Sequence, residues 1–325
     1  IAARNEVNNL KNLIPSLLNQ NYNEFEIIIA NDRSKDDSSE YLEKIALENK
    51  KLKHIKIKEE TGIIHGKKHA LSQAIKAAKH EILLFTDADC IPSSQNWIKA
   101  MTSALKADKE IVLGYGAFFL EKTWINSLIR YDASIIAMQY LGMAKAGLPY
   151  MGVGRNIMYK KSLWEKHNGF DSHKHIASGD DDLFIMQAST ATNTATVLNL
   201  DAICYSKAKA NFKDWQMQKI RHLSTAKKYK ASTILLLITE PLSRILLIFS
   251  LFYSFFAFSY FISSIFISLI LFRSLILCKI NNKFFKITEE KNIGIKLVLF
   301  DLLLPFIYLY LNIIKTLKKR EQNWK

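Results

Sequence analysis

The sequence EILLFTDAD, residues Glu81 to Asp89, decides the fold of the first part of the chain. Its apolar half is a short continuous run, which is typical of a buried strand. The run stops at Asp87-Ala88-Asp89, where two carboxylates stand one residue apart. The stretch therefore predicts a buried strand over residues 81–86 that delivers two acids at its carboxyl end.

Helical and strand patterns alternate outward from this strand towards the N terminus. Helices are predicted at residues 67–79, 38–49 and 10–18, strands at residues 54–57, 25–30 and 1–3, and a loop at residues 62–66. Such alternation predicts an α/β domain with a parallel sheet, in which ligands bind beyond the carboxyl ends of the strands. Asp32 ends one strand, so it is expected in the same crevice as Asp87 and Asp89. The chain opens at Ile1 without a methionine, and its first strand is expected to begin upstream.

A compositional break divides the chain of 325 residues near residue 230. Hydrophobic residues make up 49% of the whole, but residues 233–272 carry only two charges, Glu240 and Arg244. We therefore expect a catalytic-type α/β domain at residues 1–230 and a membrane region at residues 231–325. Helices between the strand at 81–86 and the break are predicted at residues 128–141, 161–167, 180–188 and 215–230.

Three apolar stretches in the membrane region predict helices at residues 234–256, 257–278 and 297–314. The first two are long enough to cross a hydrocarbon layer of about 30 Å. The third contains Asp301 and Pro305, so it crosses the membrane, lies in the interface or re-enters. Asp301 is costly in a lipid-facing span unless it faces protein. A buried soluble hairpin is the alternative, disfavoured because a soluble helix seldom lacks a polar face for so long.

The net charge of +15 favours an anionic membrane surface or a phosphorylated substrate. The sequence carries no nucleic-acid-binding motif, so no nucleic-acid partner is expected. The three cysteines, Cys90, Cys204 and Cys278, are an odd and widely spaced set, which argues against a disulfide framework or a metal cluster. A reducing compartment is the simpler expectation.

Polar residues at the predicted strand and helix ends suit phosphate and metal chemistry. Asp87 and Asp89 offer the oxygen ligands that Mg²⁺ or Mn²⁺ prefers, with a helix-capping turn as the alternative. Lys67 opens a helix, where a lysine and a helix N-terminus attract an anion, with an exposed lysine as the alternative. The run Asp180-Asp181-Asp182 raises at least one carboxyl pKa if it is enclosed, which suits a general base. Simple capping of the following helix is the alternative interpretation.

The basic helix before the break offers another candidate surface. Gln218 and Arg221 are three residues apart, so they share one face. That face closes over a diphosphate, or the helix lies on the bilayer with its lysines on lipid phosphates. Both interpretations stay open.

Seven motifs, taken in order, make the chain resemble the family-2 glycosyltransferases over the 1–230 domain. They are AARNE (Ala2–Glu6), FEIIIANDRS (Phe25–Ser34), GKKHAL (Gly66–Leu71), LLFTDADC (Leu83–Cys90), GVGRNIMYKKSLWEKHNGF (Gly152–Phe170), SGDDDLF (Ser178–Phe184) and QKIRH (Gln218–His222). The resemblance implies the GT-A fold, a Rossmann-like α/β domain that binds a nucleotide-diphospho-sugar, here followed by transmembrane helices.

The resemblance also implies roles on the donor side. Asp32 would read a uracil-type base, and Ala3, Arg4 and Glu6 would line the same base. Lys67 would lie near the donor phosphates. These roles favour a UDP-sugar as the donor.

Metal binding and the diphosphate involve a second set of residues in the resemblance. Asp89 would be the ligand of a divalent cation, Mg²⁺ or Mn²⁺, and Asp87 would bind the donor ribose or a water on the same cation. Gln218 and Arg221 would bind the donor from the QKIRH motif.

On the acceptor side, the resemblance makes Asp181 the catalytic base, or Asp180 if the motif is aligned one residue earlier. His222 and Asn156 would face the acceptor. His222 replaces the tryptophan that would stack on an acceptor sugar, which favours a single addition over a long polymer. Two other departures are Asn31, in place of the first of two aspartates, and Gly179-Asp180, in place of Glu-Asp.

The expected function is therefore an inverting, metal-dependent glycosyltransferase of the hexosyltransferase type. It would move a sugar from a nucleotide-diphosphate donor to a lipid or glycan acceptor, in the synthesis of a cell-envelope polysaccharide or glycolipid. The chain would be an integral membrane protein with its catalytic domain facing the cytoplasm. The alternatives are a processive polysaccharide synthase of the same fold and a non-catalytic nucleotide-binding membrane scaffold.

Overall fold

The structure, a computed structural model, describes five stretches of the chain. They are residues 1–58, 66–176, 178–257, 260–294 and 296–317. Most of the predicted loop at residues 62–66 and the last eight residues of the predicted membrane region, 318–325, therefore lie outside the described residues.

The chain forms two compact units. The sheet unit comprises the described residues of 1–119 and 133–208, and the helical unit comprises residues 120–132 and the described residues of 209–317. The helical unit includes residues 120–132 and 209–230, which precede the apolar helices in the chain. The functional division at residue 230 therefore stays a prediction.

Ten strands lie in the described part of the sheet unit. They are β1 (Ala2–Ala3), β2 (Ile27–Asp32), β3 (Leu52–Ile57), β4 (Ile82–Phe85), β5 (Cys90–Pro92), β6 (Ile111–Leu113), β7 (Gly116–Phe118), β8 (Ile157–Lys160), β9 (Thr194–Thr196) and β10 (Cys204–Ser206). The helices of the described chain, from both units, are α1 (Val7–Leu18), α2 (Ser38–Glu48), α3 (Gly66–Ala77), α4 (Trp97–Ser103), α5 (Trp124–Lys145), α6 (Lys161–Lys166), α7 (Asp182–Ala188), α8 (Phe212–Thr225), α9 (Ala231–Ala257), α10 (Tyr260–Thr288) and α11 (Lys296–Leu317).

The first three strands form a parallel sheet in the order β1-β2-β3, as the alternating pattern predicts. Ile27 and Ile29 are buried in β2, and Leu10 and Leu13 are buried in α1. The spacing of three residues in α1 matches a helix that buries one face. The last four residues of β2 are all buried, as expected of a central strand in a parallel sheet. Asp32 ends β2 at the carboxyl edge of this sheet.

The strand β4 departs from the predicted parallel arrangement. It pairs antiparallel with β8, with Phe85 opposite Ile157, in a sheet of order β4-β8-β6-β9. The sequence patterns located β4 but missed β8, a run of four residues whose partner lies about 75 residues away in the chain. The domain is therefore a mixed α/β structure. A small third sheet, β5-β10-β7, continues from the end of the Asp87-Ala88-Asp89 turn.

In the helical unit, α9, α10 and α11 are each long and apolar enough to cross a membrane. Their bounds extend the predicted helices by several residues, and α9 continues through Pro241. The third predicted helix is thus as long and apolar as a span requires.

Asp301 of α11 is almost fully buried and faces protein, as the cost of a lipid-facing carboxylate predicts. Arg244 of α9 donates to Asp301 Oδ1 at 2.8 Å, and Arg273 of α10 donates to Asp301 Oδ2. Both arginines also pair with Glu240. These four residues, the interhelical charge cluster, join all three apolar helices, and their formal charges sum to zero.

Candidate functional site

The strand β4 places the first candidate acids. Its buried Leu83 and Phe85 anchor it in the sheet, and the chain then turns, with the Cys90 amide donating to the Asp87 carbonyl at 3.1 Å. The turn brings ligand atoms of Asp87, Asp89 and Cys90 within 4.8 Å of one another. Asp89 is exposed, whereas Cys90 is buried.

The donor set at this turn fits a hard divalent cation. A hydrogen bond with Cys204 and then burial raise the pKa of the Cys90 thiol well above its usual range, so the thiol stays protonated. A protonated thiol is a poor metal ligand, which leaves the carboxylates of Asp87 and Asp89. Carboxylate oxygens suit Mg²⁺ and Mn²⁺, the two cations that the sequence predicts.

Lys67 links this pair of acids to the second acidic motif. Its Nζ lies 2.9 Å from Asp87 Oδ1 and 2.9 Å from Asp180 Oδ2. Burial alone lowers the pKa of Lys67, but Asp180 and Asp87 outweigh it and hold the pKa well above its usual range. Lys67 is therefore a permanent cation between two carboxylates that lie 93 residues apart in the chain.

The acidic run begins with a turn that only glycine makes easily. Gly179 has φ of +94°, and a Cβ there would lie 2.5 Å from Leu183 Cδ1. The chain then enters α7 with Asp181 as its N-cap. Asp181 Oδ1 accepts from the amide of Asp182 at 2.8 Å, and Oδ2 accepts from the amide of Gly154 at 2.7 Å.

Asp181 differs from Asp180 in its electrostatic surroundings. Burial, then the neighbouring Asp180 and Asp182, raise the pKa of Asp181 to about 7, although Lys67 opposes the shift. The prediction that the enclosed run holds a carboxyl with a raised pKa is confirmed. A carboxylate that titrates near neutrality suits a general base better than one that is ion-paired.

A pocket brings these groups to one surface. It is lined by Lys67, Asp87, Asp180 and Asp181, together with Gly154, Thr86 and the side chains of Leu71, Phe85, Ile157 and Tyr159. Asp87, Lys67 and the two candidate bases thus share one cavity with an apolar wall, whereas Asp89, the predicted metal ligand, is not among the residues that line it.

The loops after β1 and β2 meet beside Asp32. The amide of Asn5 donates to Ser34 Oγ at 2.9 Å, and the amide of Lys35 donates to Asn5 Oδ1 at 2.7 Å. The amide of Glu6 donates to Ser38 Oγ at 3.2 Å. The structure therefore brings the predicted base-binding residues of both loops together.

Within this group, exposure differs from one residue to the next. Ala3 and Asp32 are buried, and Arg4 and Glu6 are partly exposed. Asp32 is bound by the adjacent Arg33, whose Nε donates to Asp32 Oδ1 at 2.8 Å.

Asn156 does not fit the acceptor-side role expected of it. Its side chain is fully buried; Nδ2 donates to the carbonyls of Tyr115 and Ala202, and Oδ1 accepts from Trp97 Nε1. These contacts leave no surface for an acceptor, and they give Asn156 a structural role. It holds the loop that presents Gly154 to Asp181.

Gln218, Arg221 and His222 lie on α8 in the helical unit. Gln218 and Arg221 are partly exposed, and His222 is exposed. Their predicted roles towards the diphosphate and the acceptor stay predictions.

Sequence patterns missed two residues that shape the site. Lys68 is fully buried and donates to two main-chain carbonyls. Arg155 donates to Ser206 Oγ and to the Gly116 carbonyl and lies over the ring of Phe118. The sequence held one signal for both residues, because each stands inside a motif that carries the family resemblance.

Comparison with known proteins gives a family and a fold. The model of glycosyl transferase family 2 matches residues 1–167, more than half of the chain. Among curated protein sequences none matches. The mannosyltransferase PcManGT from Pyrobaculum calidifontis, solved with GDP-Man and Mn²⁺, has a TM-score of 0.61 at 16% identity, over 98% of this chain and 86% of that chain.

A second similar structure covers less. Residues 1–349 of S. aureus TarS match with a TM-score of 0.45 and 17% identity, over 67% of this chain and 62% of that chain. The expected fold, a mixed α/β domain of GT-A type followed by long apolar helices, is confirmed. By the match over residues 1–167, the chain belongs to glycosyl transferase family 2.

Proposed function

We propose that the chain is a divalent-cation-dependent, inverting glycosyltransferase that moves a sugar from a nucleotide-diphosphate donor to a lipid or glycan acceptor at a membrane. The observation that carries the proposal is the bridge of Lys67 between Asp87 and Asp180. It sets the cation-binding acids and the acidic run on opposite sides of one lysine. Transfer needs that arrangement, because charge develops on the diphosphate while a proton leaves the acceptor.

The donor occupies the end of the pocket near β4 and β2 in this proposal. Asp89 and Asp87 hold Mg²⁺ or Mn²⁺, which supplies positive charge to the leaving diphosphate when bound. Lys67 adds a second positive charge at the same end. Asp32 and the backbone from Ala3 to Glu6 bind the base, and a UDP-sugar is the favoured donor.

At the other end, Asp181 removes the proton from the acceptor hydroxyl. The oxygen then attacks the anomeric carbon from the face opposite the diphosphate, so the configuration inverts. Two backbone amides orient the Asp181 carboxylate, and its pKa of about 7 lets it gain and release a proton at neutral pH. Asp180 pairs with Lys67 and fixes the position of the lysine.

The helical unit supplies the membrane setting. Three helices with the length and composition of spans follow the sheet unit in the chain, which supports an integral membrane protein. In this proposal its catalytic domain faces the cytoplasm. Exposed His222 offers a smaller ring than tryptophan to an acceptor sugar, which favours a single addition.

The test is a donor panel on the full chain in detergent or vesicles. UDP- and GDP-sugars are incubated with Mn²⁺ or Mg²⁺ and a membrane lipid extract, and products are identified by mass spectrometry. We expect sugar on a lipid or short glycan, loss of product with EDTA, and recovery on adding the cation.

Asp181→Asn separates the base from the donor site. We expect transfer to fall by about 10³-fold or more, while donor binding with Mn²⁺ is retained. Asp171→Asn, at an exposed position, is the matched control. Full activity of Asp181→Asn would sink the base assignment, and donor binding without transfer by the unmodified chain would favour a scaffold.

A further inference from the structure

Lys68 is the side chain beside the Lys67 bridge that the proposed function leaves unused. It is fully buried, in the first turn of α3. Its Nζ donates to the carbonyl oxygen of His173 at 2.7 Å and to that of Ile176 at 2.9 Å. Lysine is almost never fully buried without such partners, because an unpaired buried charge is costly.

The two carbonyl groups belong to the stretch of chain that leads into the acidic run. Ile176 precedes Gly179 by three residues, and Gly179 starts the turn into Asp180 and Asp181. We therefore expect a shift of the Ile176 backbone to move the acids that follow it in the chain. Lys67 and Lys68 fasten two consecutive parts of one segment to the same helical turn: Lys67 holds Asp180 by its side chain, and Lys68 holds the backbone before it.

We propose that Lys68 is a positioning residue for the acceptor base. By tying the backbone at His173 and Ile176 to α3, it fixes where Asp180 and Asp181 stand relative to Lys67 and the cation-binding acids. Its effect on rate rests on the proposed function, whereas the tie itself does not.

The charges around Lys68 agree with this role. The titratable groups that face it are Asp180, Asp181 and Asp182, the imidazole of His173 and the neighbouring Lys67. Burial lowers the pKa of Lys68 to about 8, and the three aspartates oppose the shift, so it is mostly protonated at neutral pH.

His173 adds no competing charge at neutral pH. Burial and then Lys68 lower the pKa of His173 to about 4, so its ring is neutral. Lys67 thus interacts with Asp180 and Asp181, and Lys68 interacts with all three consecutive aspartates.

Amide hydrogen exchange on the full chain in detergent tests the tie without any substrate. The variant is Lys68→Met, which keeps most of the aliphatic length and removes the donors. The control is Lys76→Met, an exposed lysine of the same helix. We expect amides from His173 to Leu183 to exchange about tenfold faster or more in Lys68→Met, since two charge-assisted bonds are lost. Unchanged exchange there, in a variant that melts like the control, would overturn the proposal.

Kinetics supply the second readout. We expect kcat of Lys68→Met to fall by about 10²-fold, because a small displacement of a catalytic group has that effect. The KM for the donor should stay within about twofold, since the cation-binding acids and Lys67 remain. A rise in the donor KM of about 10²-fold, with kcat unchanged, would contradict a role at the base.

The unmodified chain gives a measurement that needs no variant, should Lys68→Met fail to fold. Under low denaturant, amides from His173 to Leu183 should open together with those of α3, because the tie joins them into one cooperative unit. Opening of the segment well before α3 would overturn the proposal. If the chain transfers no sugar, the proposed function fails, but both exchange experiments still decide whether Lys68 holds the segment.

Discussion

Asp181 is subject to two opposed influences within a few ångströms. Its two carboxylate oxygens accept the amides of Gly154 and Asp182, which favours the charged form. Burial and the flanking aspartates favour the protonated form, and their effect is larger, so the pKa rises to about 7. A group with this pKa is sensitive to pH in the range where the chain would work.

The first prediction follows from that pKa. Asp181 must lose its proton to act as a base, so kcat should fall about tenfold per pH unit below the pKa and level off above it. The measurement is kcat at saturating donor and cation from pH 5.5 to 9. A rate that does not change between about pH 5.5 and 7.5 would show that another group is the base.

Lys67→Met should act on both ends of the pocket. Removing the cation between Asp87 and Asp180 should lower kcat/KM by about 10²-fold, as loss of a group that stabilises developing charge does. Lys67 also holds down the pKa of Asp181, so the acid limb of the rate profile should move to higher pH. Lys76→Met again serves as the control, and an unmoved acid limb would contradict the link between Lys67 and Asp181.

The residues that sequence patterns located share one property. Asp32 and Asp87 stand where a strand pattern stops, and the acids from Asp180 onward stand where a helix pattern begins; such ends are visible in a single sequence. Lys68 and Asn156 act through main-chain carbonyls more than 40 residues away in the chain. A carbonyl partner leaves no trace in the sequence. Lys68 was therefore missed among 45 basic residues, and Asn156, which is buried, was expected to face the acceptor.

Among the elements, α9, α10 and α11 are joined by charge as well as by apolar contact. The sequence indicated that Asp301 would be costly in a span unless it faced protein, because the cost of a carboxylate in lipid follows from the residue type. It did not predict Arg244 and Arg273 as partners, since pairs 57 and 28 residues apart arise only from how the helices pack. The antiparallel pairing of β4 with β8 was missed for the same reason.

Replacing Asp301 tests the interhelical charge cluster. Asp301→Leu leaves Arg244 and Arg273 with Glu240 alone, so a buried positive charge loses its partner. We expect the free energy of unfolding in detergent to fall by about 3–5 kcal/mol, the usual effect of breaking a buried ion pair. Asp108→Asn, at an exposed site of the sheet unit, should change it by less than about 0.5 kcal/mol. Equal melting of both variants would mean that the cluster adds nothing to helix association.

If α9, α10 and α11 span a bilayer, as we propose, the charged segments that flank them lie on its two sides. Arg130, in the first part of α5, pairs with Glu290 and donates to the carbonyl of Lys291 at 2.8 Å, and all three groups are in the helical unit. The turn between α10 and α11 therefore lies on the same side of the membrane as that part of α5. If α9 and α10 both cross, this side is also the side of α8.

Site-directed labelling checks this arrangement. Lys213→Cys on α8 and Lys291→Cys in the turn place thiols at two exposed positions. With the catalytic domain facing the cytoplasm, a membrane-impermeant thiol reagent should modify both in inverted vesicles and neither in right-side-out vesicles. The unmodified chain, whose Cys90 and Cys204 are buried, gives the background. Labelling of the two positions from opposite sides would rule out the arrangement.

The mutual hydrogen bonds between the loops after β1 and β2 bear on how donor preference can be re-engineered. The Asn5 amide donates to Ser34, and the Asn5 side-chain oxygen accepts from the amide of Lys35. The amide of Glu6 donates to Ser38. A chimaera that takes one loop from a relative specific for another nucleotide would leave these groups without their hydrogen-bond partners. The two loops are held together as one unit, so we expect exchange of the proposed base-binding surface to succeed only when both loops are transplanted together.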